Sequence, residues 1–248
     1  MQILDTLVNG YREILGDNMT GFYVHGSIAF GCFNPARSDI DYIVTVRRKM
    51  TYDEKLEILK FVDGVSKDAP EKGIEMSIVL DEHAKNFVYP TPYELHFSEY
   101  WRDQYEKDPY PICNDDEKTD IDLAAHFTVI KNVGVALYGD SIEDKFGEVK
   151  REYYVDSVFG DIRAEDDEID DAPMYYILNL CRSMAYFCDG LVMSKKQGGE
   201  YALGKTEFDD VISDALSCYT GNDDMKTDRA RILDFCHYMY DFFGSCEC

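Results

Sequence analysis

The sequence predicts an α+β fold in which a mixed sheet with helices is followed by an all-helical region. Two observations support this prediction. Strand-like and helix-like patterns alternate over residues 1–80, whereas from about residue 148 onwards the apolar residues recur at helical spacing. The chain has 248 residues, 45% of them apolar, which fits one large domain or two smaller ones. We predict two domains, residues 1–147 and residues 148–248.

The first helix and the first two strands follow from the positions of the apolar residues. Residues 1–16 carry apolar side chains on one helical face, and Gly16 ends this helix. The runs GFYVHG and DYIVTV are rich in β-branched and aromatic residues, as strands are. Gly31, Asn34 and Pro35 mark a turn between them. The sequence therefore predicts helix, strand, turn and strand in this order.

A second helix and a third strand come next. Residues 51–67 begin with Thr51 as a candidate cap and carry an apolar stripe, and GIEMSIVL is typical of a strand. This order predicts a small mixed sheet with helices against one face. Residues 120–136 are predicted to be helical, with Asp120 and Asp122 at the helix N-terminus, where carboxylates meet the positive end of the helix dipole.

The second region shows helical periodicity and almost no strand-like alternation. Its acidic run, residues 165–171, has two interpretations that stay open: a disordered loop, or part of a cleft for a cationic ligand. The segments with helical periodicity are residues 154–159, 174–188, 208–216 and 230–243.

The composition and net charge of the chain indicate which kinds of molecule it binds. The net charge of −24 disfavours nucleic acid as a substrate and favours a cationic small molecule. No stretch reaches the roughly 18 to 20 apolar residues that cross a bilayer, and the first residues do not resemble a signal peptide. The eight cysteines form no CxxC pair, which favours buried thiols in a reducing compartment, and the terminal Cys246-Glu-Cys248 is expected to be a frayed tail. We expect a cytoplasmic monomer or weak oligomer, without membrane or nucleic-acid partners.

Two carboxylates stand one residue apart in YVHGSIAFGCFNPARSDIDYIVTV, residues 23–46. Because strand side chains alternate between faces, Asp39 and Asp41 project to one side while Ile40 points to the other. Two such carboxylates repel each other unless a cation lies between them, and Mg²⁺ binds one or two carboxylates together with substrate phosphates. Glu75, in the centre of GIEMSIVL, joins the pair if its strand lies beside theirs. The pattern predicts a magnesium site.

A glycine and a serine follow the first predicted strand. Gly26 lets the backbone approach a ligand closely, and the hydroxyl of Ser27 can hold a phosphate oxygen beside free backbone N–H groups. A D-x-D or a Gly-Ser turn alone is common in so acidic a chain. Their coincidence, in the order strand, Gly-Ser, Ser-Asp-x-Asp and strand, favours a site for a metal and a phosphate-bearing substrate.

The segment HGSIAFGCFNPARSDIDYIVTV resembles the G-S-x-D-x-D signature of nucleotidyltransferases of the polymerase-β type. Further stretches resemble the aminoglycoside adenylyltransferases of the streptomycin/spectinomycin group: GIEMSIV with its glutamate, residues 89–100, and ILNLCR followed by GLVMSK. These matches cover both halves of the chain in the order of that group. The resemblance implies a nucleotidyltransferase domain followed by a helical domain.

The resemblance also implies a reaction, the transfer of AMP from ATP to a hydroxyl group of an aminoglycoside or aminocyclitol antibiotic. It makes Asp39 and Asp41 the ligands of Mg²⁺ and Glu75 the general base. The residues assigned to the bound ATP are Gly26, Ser27, Ser38, Arg182 and Lys195.

The acceptor side departs from the family pattern. Tyr100 stands where the family has a tryptophan, and Tyr175 lies in a segment where it has histidine or asparagine. Glu99 and Tyr100 are the candidate contacts to the acceptor. The sequence therefore supports the transfer of AMP better than it supports any particular antibiotic as the acceptor. Two alternatives stay open: the same chemistry on another small alcohol such as a lincosamide, and a non-catalytic, antitoxin-like interaction module.

Overall fold

The computed structural model describes residues 2–114, 116–221 and 224–245. It contains two compact units, which meet in sequence at Tyr154 and Val155. We refer to residues 1–154 as unit 1 and to residues 155–248 as unit 2. The predicted boundary lay at residues 147 and 148. Cys246 and Cys248, for which the sequence predicted a frayed tail, lie outside the described residues.

Unit 1 carries the strands of the described chain, and unit 2 is helical, so the predicted α+β class is confirmed. The strands are β1 (Met19–Val24), β2 (Ile40–Val46), β3 (Ile74–Leu80), β4 (Thr91–Tyr93), β5 (Leu95–Phe97), β6 (Lys118–Asp120) and β7 (Val135–Gly139). The helices of unit 1 are α1 (Gln2–Leu15), α2 (Gly26–Ala29), α3 (Tyr52–Ser66), α4 (Asp81–Lys85), α5 (Arg102–Lys107), α6 (Tyr110–Cys113), α7 (Leu123–Val133) and α8 (Ile142–Lys145). Helix α9 (Arg151–Ile162) leads into unit 2, which continues with α10 (Asp166–Asp171), α11 (Pro173–Asp189), α12 (Lys195–Ala202), α13 (Asp209–Thr220) and α14 (Arg229–Ser245). No helix of the described residues is long and apolar enough to span a bilayer.

The main sheet is mixed, as predicted. Its strand order is β5-β3-β2-β1-β7, in which β2 and β3 run parallel and every other neighbouring pair is antiparallel. Strands β4 and β6 form a separate two-stranded sheet. The parallel pair requires a crossover, and α3 provides it between β2 and β3.

The prediction that helices cover one face of the sheet is wrong, because helices cover both. On one face, Phe22, Tyr42 and Ile78 are buried together with the apolar residues of α1 and α3. On the other face, Tyr23 and Ile43 are buried in a second core with residues of α7. Side chains alternate between the faces of a strand, so strands that are apolar at consecutive positions need a cover on each side.

Local signals placed the starts of two helices correctly and the end of one incorrectly. The side chain of Thr51 accepts a hydrogen bond from the Glu54 N–H, which confirms the predicted cap of α3. Asp122 lies at the start of α7 as predicted, but Asp120 ends β6 and accepts a hydrogen bond from the Asp122 N–H at 2.8 Å. The helix predicted to reach residue 136 ends before Gly134, and Val135 begins β7.

The predicted helices of unit 2 are present, and the acidic run is also a helix. The interpretation of residues 165–171 as a disordered loop is therefore wrong. Helix α10 begins with a capping box between Glu165 and Glu168, and Ile169 is completely buried. Asp170 forms an ion pair with Arg229 of α14. One apolar anchor and a cap thus offset the mutual repulsion of the acidic side chains.

Replacement of Ile169 by alanine should lower the free energy of unfolding by about 2 to 5 kcal/mol, because it removes a buried side chain and leaves a cavity. The exposed neighbour Asp167 is a matched control, and Asp167→Ala should change stability by less than about 0.5 kcal/mol. Urea denaturation followed by circular dichroism measures both. Equal stabilities of the two variants would show that α10 is not docked through Ile169.

Candidate active site

Three carboxylates meet on one face of the sheet. One ligand oxygen each from Asp39, Asp41 and Glu75 lies within 4.8 Å of the other two, and all three residues are half-buried. The parallel pairing of β2 with β3 places Asp41 directly opposite Glu75. The strand pairing on which the sequence-based prediction for Glu75 depended is therefore present.

The core on the opposite face holds these carboxylates in place. Ile40, Ile74 and Met76 alternate with the acidic residues along the two strands and are each 1% exposed. Because the side-chain period of a strand is two residues, burial of these apolar side chains forces the carboxylates to the other side.

The donor set fits a hard divalent cation. Two unit charges separated by 4.8 Å repel each other by on the order of 3 kcal/mol at an effective dielectric constant of 20. Oxygen ligands of this kind suit Mg²⁺, Mn²⁺ and Ca²⁺, and Mg²⁺ commonly combines one or two carboxylates with phosphate oxygens. Asp39 and Asp41 could hold such an ion, and Glu75 is close enough to serve as a ligand or as a base.

Gly26 allows the backbone after β1 to approach Asp41. Its φ angle is +59°, and a Cβ atom at this position would lie 1.8 Å from Asp41 Oδ2. The preceding residue fixes the contact, since the His25 N–H donates to the Asp41 carbonyl at 3.0 Å. Only glycine fits both the backbone conformation and the space beside the carboxylate.

The two serines predicted to contact ATP have different surroundings. The Ser27 Oγ atom is buried and has no hydrogen-bond partner within the described residues. A buried hydroxyl without a partner is unfavourable, so a substrate oxygen would satisfy it. Ser38 is 2% exposed, and its Oγ accepts a hydrogen bond from the Asn34 N–H at 3.1 Å. Ser38 thereby closes the turn that leads into Asp39.

Three histidines near the carboxylates were missed by the sequence analysis. The rings of His25 and His126 lie 4.8 Å apart. Burial, and to a smaller extent the charge of His126, lowers the pKa of His25 well below its usual value. His96, on β5, lies opposite Ser77 of β3, and its Nδ1 atom is 3.0 Å from the Ser77 Oγ. Burial lowers the pKa of His96, although the charge of Glu75 acts in the opposite direction. His25 was visible in the HGS segment, but the other two reach the site through the fold.

The residues predicted to contact the acceptor lie outside the carboxylate cluster. Glu99 accepts two hydrogen bonds from Arg102, at 2.7 and 2.6 Å, and Arg102 also pairs with Asp63. Tyr100 is 83% exposed and packs edge-on against Trp101. Their role towards an acceptor stays a prediction.

The two cations predicted to contact ATP belong to unit 2. Arg182 lies on α11, and one of its terminal nitrogens is 3.8 Å from Asp161 Oδ2. Lys195 is the first residue of α12, a helix that the sequence analysis did not predict. Ser194 caps the N-terminus of this helix. A Cβ at Gly198 would lie 2.5 Å from the Arg182 Cα, so this glycine lets α12 pack closely on α11.

Comparisons with known proteins give one consistent result. Residues 144–241 match a family described as the C-terminal domain of aminoglycoside adenylyltransferase. An aminoglycoside (3'') (9) adenylyltransferase from Klebsiella pneumoniae is 24% identical over 245 residues, which cover 95% of this chain and 92% of the relative. A spectinomycin 9-adenylyltransferase from Enterococcus faecalis is 24% identical over 198 residues, 76% of this chain and 74% of the relative.

A solved structure extends the likeness to the fold. A crystal structure of an Enterococcus spectinomycin adenyltransferase with ATP and spectinomycin aligns with a TM-score of 0.84, covering 98% of this chain and 99% of that one. The sequence identity is 20%, so this match shows a shared fold. The resemblance stated from the sequence motifs is thus supported by independent comparisons over both units.

Replacement of Gly26 by alanine should weaken metal-dependent nucleotide binding, because the new methyl group would displace the carboxylate of Asp41. Gly64, within α3, is a matched control, since a Cβ there meets no atom within 4 Å. Titration calorimetry with ATP and Mg²⁺ should show at least about a tenfold loss of affinity for Gly26→Ala, about 1.4 kcal/mol, and no loss for Gly64→Ala. Unchanged affinity of Gly26→Ala would exclude this close approach from the binding site.

Proposed function

We propose that this chain, a nucleotidyltransferase of the aminoglycoside adenylyltransferase type, transfers AMP from ATP to a hydroxyl group of an aminoglycoside or aminocyclitol in a Mg²⁺-dependent reaction that confers antibiotic resistance. The observation that carries the proposal is the cluster of Asp39, Asp41 and Glu75 on one sheet face. The relatives named for this activity support the reaction type and the class of acceptor.

We assign different roles to the three carboxylates, metal binding to two of them and base catalysis to the third. Asp39 and Asp41 would hold Mg²⁺, and the ion would supply positive charge that stabilises the triphosphate and the leaving pyrophosphate. Glu75 would take the proton of the acceptor hydroxyl as the oxygen bonds to the α-phosphorus and the bond to the pyrophosphate oxygen breaks. Glu75 lies opposite Asp41 on the neighbouring strand. The proposed base is therefore next to the two aspartates that would hold the metal ion.

The other residues that we assign to ATP are spread over both regions of the sequence. Gly26 lies beside Asp41, and the buried hydroxyl of the next residue, Ser27, would bind a phosphate oxygen, since it has no hydrogen-bond partner among the described residues. Ser38 supports the turn before Asp39. Arg182 and Lys195 would neutralise the triphosphate, a role that the family resemblance implies. Net charge also matters, since a protein of charge −24 repels free ATP and needs local cations to bind it.

The acceptor is proposed to be cationic. A surplus of acidic residues attracts polyamines and opposes nucleic acid, and we propose that the enzyme acts in the cytoplasm as a monomer or weak oligomer. A lincosamide or another small alcohol is the alternative acceptor. A non-catalytic interaction module is disfavoured, because binding a partner does not require three clustered carboxylates, whose mutual repulsion destabilises the fold.

The function is tested by pyrophosphate release from Mg·ATP with a panel of aminoglycosides, aminocyclitols and lincosamides. We expect turnover with at least one aminoglycoside or aminocyclitol and none without Mg²⁺. Asp39→Asn and Asp41→Asn should each abolish turnover and weaken binding of Mg·ATP while the circular dichroism spectrum stays unchanged. Turnover with a lincosamide and with no other compound of the panel would show that the acceptor is a lincosamide and not an aminoglycoside or aminocyclitol. Absence of turnover with the whole panel would favour the interaction module.

Glu75→Gln separates a base from a metal ligand. The variant keeps the shape of the side chain but cannot accept the proton, so kcat should fall by roughly 10²- to 10⁴-fold while the dissociation constant of Mg·ATP changes little. Single-turnover kinetics and calorimetry on the same sample give both quantities. A parallel loss of Mg·ATP affinity would instead make Glu75 a metal ligand, and normal turnover would rule out both roles.

A further inference from the structure

A network of hydrogen bonds in unit 1 ties the segment after β5 to the last turn of α3. The Arg102 Nε and one of its terminal nitrogens donate to the two oxygens of Glu99, at 2.7 and 2.6 Å. The terminal nitrogens also donate to Asp63 Oδ1 and to Ser66 Oγ, each at 2.5 Å. Asp63 and Ser66 belong to the C-terminal turn of α3. Arg102 therefore links the Glu99 carboxylate to the end of this helix, in the bidentate geometry that suits a guanidinium group.

Glu99 also packs against the backbone just before β3. Gly73 has a φ angle of +77°, and a Cβ atom there would lie 2.2 Å from the Glu99 Cγ and 2.4 Å from its Oε1. Only glycine fits both this backbone conformation and this contact. Gly73 stands two residues before Glu75, the proposed base, so the Glu99 side chain lies against the start of the strand that carries this base.

Gly73 is also a hydrogen-bonded link between β3 and β2 at the carboxylate cluster. Its carbonyl accepts a hydrogen bond from the Ile40 N–H at 3.0 Å. Ile40 lies between Asp39 and Asp41, and the strand pairing continues from here with Asp41 opposite Glu75. The backbone at Gly73 therefore helps to set the relative position of the two strands at the end where the carboxylates meet.

We propose that Arg102 is a positioning residue for the carboxylate cluster, because it keeps Glu99 packed against Gly73 and thereby fixes the backbone that carries the carboxylates. This inference rests on the proposed function, in which Asp39 and Asp41 hold the metal ion. It gives Glu99 a role that differs from the direct contact with the acceptor predicted from the sequence. Both oxygens of Glu99 already accept hydrogen bonds from the guanidinium group.

The carboxylate cluster needs such support because its charges oppose the folded arrangement. The three ligand oxygens lie within 4.8 Å of one another, and their repulsion acts to separate β2 from β3 where these strands begin. The side chains of Arg102 and Glu99 are 22% and 32% exposed, so solvent weakens a single ion pair between them. The guanidinium group gains further contacts from α3 and from the buried Phe97 ring, whose centroid is 5.8 Å from the Arg102 Cζ. The network as a whole therefore holds Glu99 more firmly than one exposed pair would.

An equivalent ion pair at the other end of α3 is a matched control. The two terminal nitrogens of Arg48 donate to the two oxygens of Glu54, at 3.0 and 2.8 Å. Glu54 is in the first turn of α3, and Arg48 follows the end of β2 that is remote from Asp41. Loss of Arg48 thus removes a bidentate pair and one positive charge, as loss of Arg102 does, but away from the carboxylate cluster.

The test measures the binding of Mn²⁺ alone to the full-length chain by electron spin resonance, since Mn²⁺ suits the same oxygen ligands as Mg²⁺. Arg102→Gln should raise the dissociation constant roughly 3- to 10-fold, less than the roughly 10- to 100-fold typical of residues that contact a metal ligand directly. Loss of a positive charge by itself would strengthen the binding of a cation, so weaker binding indicates displaced carboxylates. Arg102→Lys keeps the charge but not the planar fork of donors, and this milder change should also weaken binding. Arg48→Gln should not weaken it, and thermal unfolding of each variant verifies that the protein is folded.

Glu99→Gln separates positioning from a direct contact with the acceptor. Positioning predicts that Glu99→Gln weakens Mn²⁺ binding before any acceptor is added, and that its effect is not additive with that of Arg102→Gln. Unchanged or tighter Mn²⁺ binding by both Arg102 variants would overturn the inference and leave the proposed function intact, and so would an effect of Glu99→Gln that is confined to the KM of the acceptor. Failure of the wild-type protein to bind Mn²⁺ would refute the metal site itself, and the inference with it.

Discussion

The parallel pairing of β2 with β3, in the register that sets Asp41 opposite Glu75, is the constraint on which the proposed site depends. A parallel pair needs a crossover, and α3 supplies it while its apolar residues cover one face of the sheet. A slip of one residue would exchange the two faces, bury the carboxylates and expose Ile74. The apolar core thus specifies the position of the three carboxylates to which we assign the chemistry.

The site concentrates features that are unfavourable for a folded protein. Three carboxylates share a small volume, and the Ser27 hydroxyl is buried with no hydrogen-bond partner among the residues that the structure describes. A bound cation would neutralise the carboxylates, and a phosphate oxygen would accept a hydrogen bond from Ser27. These two features therefore favour the binding of a metal ion together with a phosphate-bearing ligand.

Charge serves opposite purposes for the two proposed substrates. A net charge of −24 attracts a cationic acceptor and repels ATP, so ATP binding needs positive charge at defined places. We assign this positive charge to Arg182 and Lys195 of unit 2. The acidic run forms α10, where Ile169 is buried and Asp170 pairs with Arg229, so part of the negative charge serves the fold.

The sequence by itself determined the helices and strands with strong periodicity, the cap at Thr51 and the common direction of Asp39 and Asp41, because each depends on residues close together in the chain. It also carried the motifs that resemble those of aminoglycoside adenylyltransferases. Only the tertiary structure decided that Glu75 joins the aspartates, that helices cover both sheet faces, that Ile169 orders the acidic run, and that Arg102 ties Glu99 to α3. These features arise from contacts between distant segments, which sequence periodicity does not encode and which strand register and helix packing set.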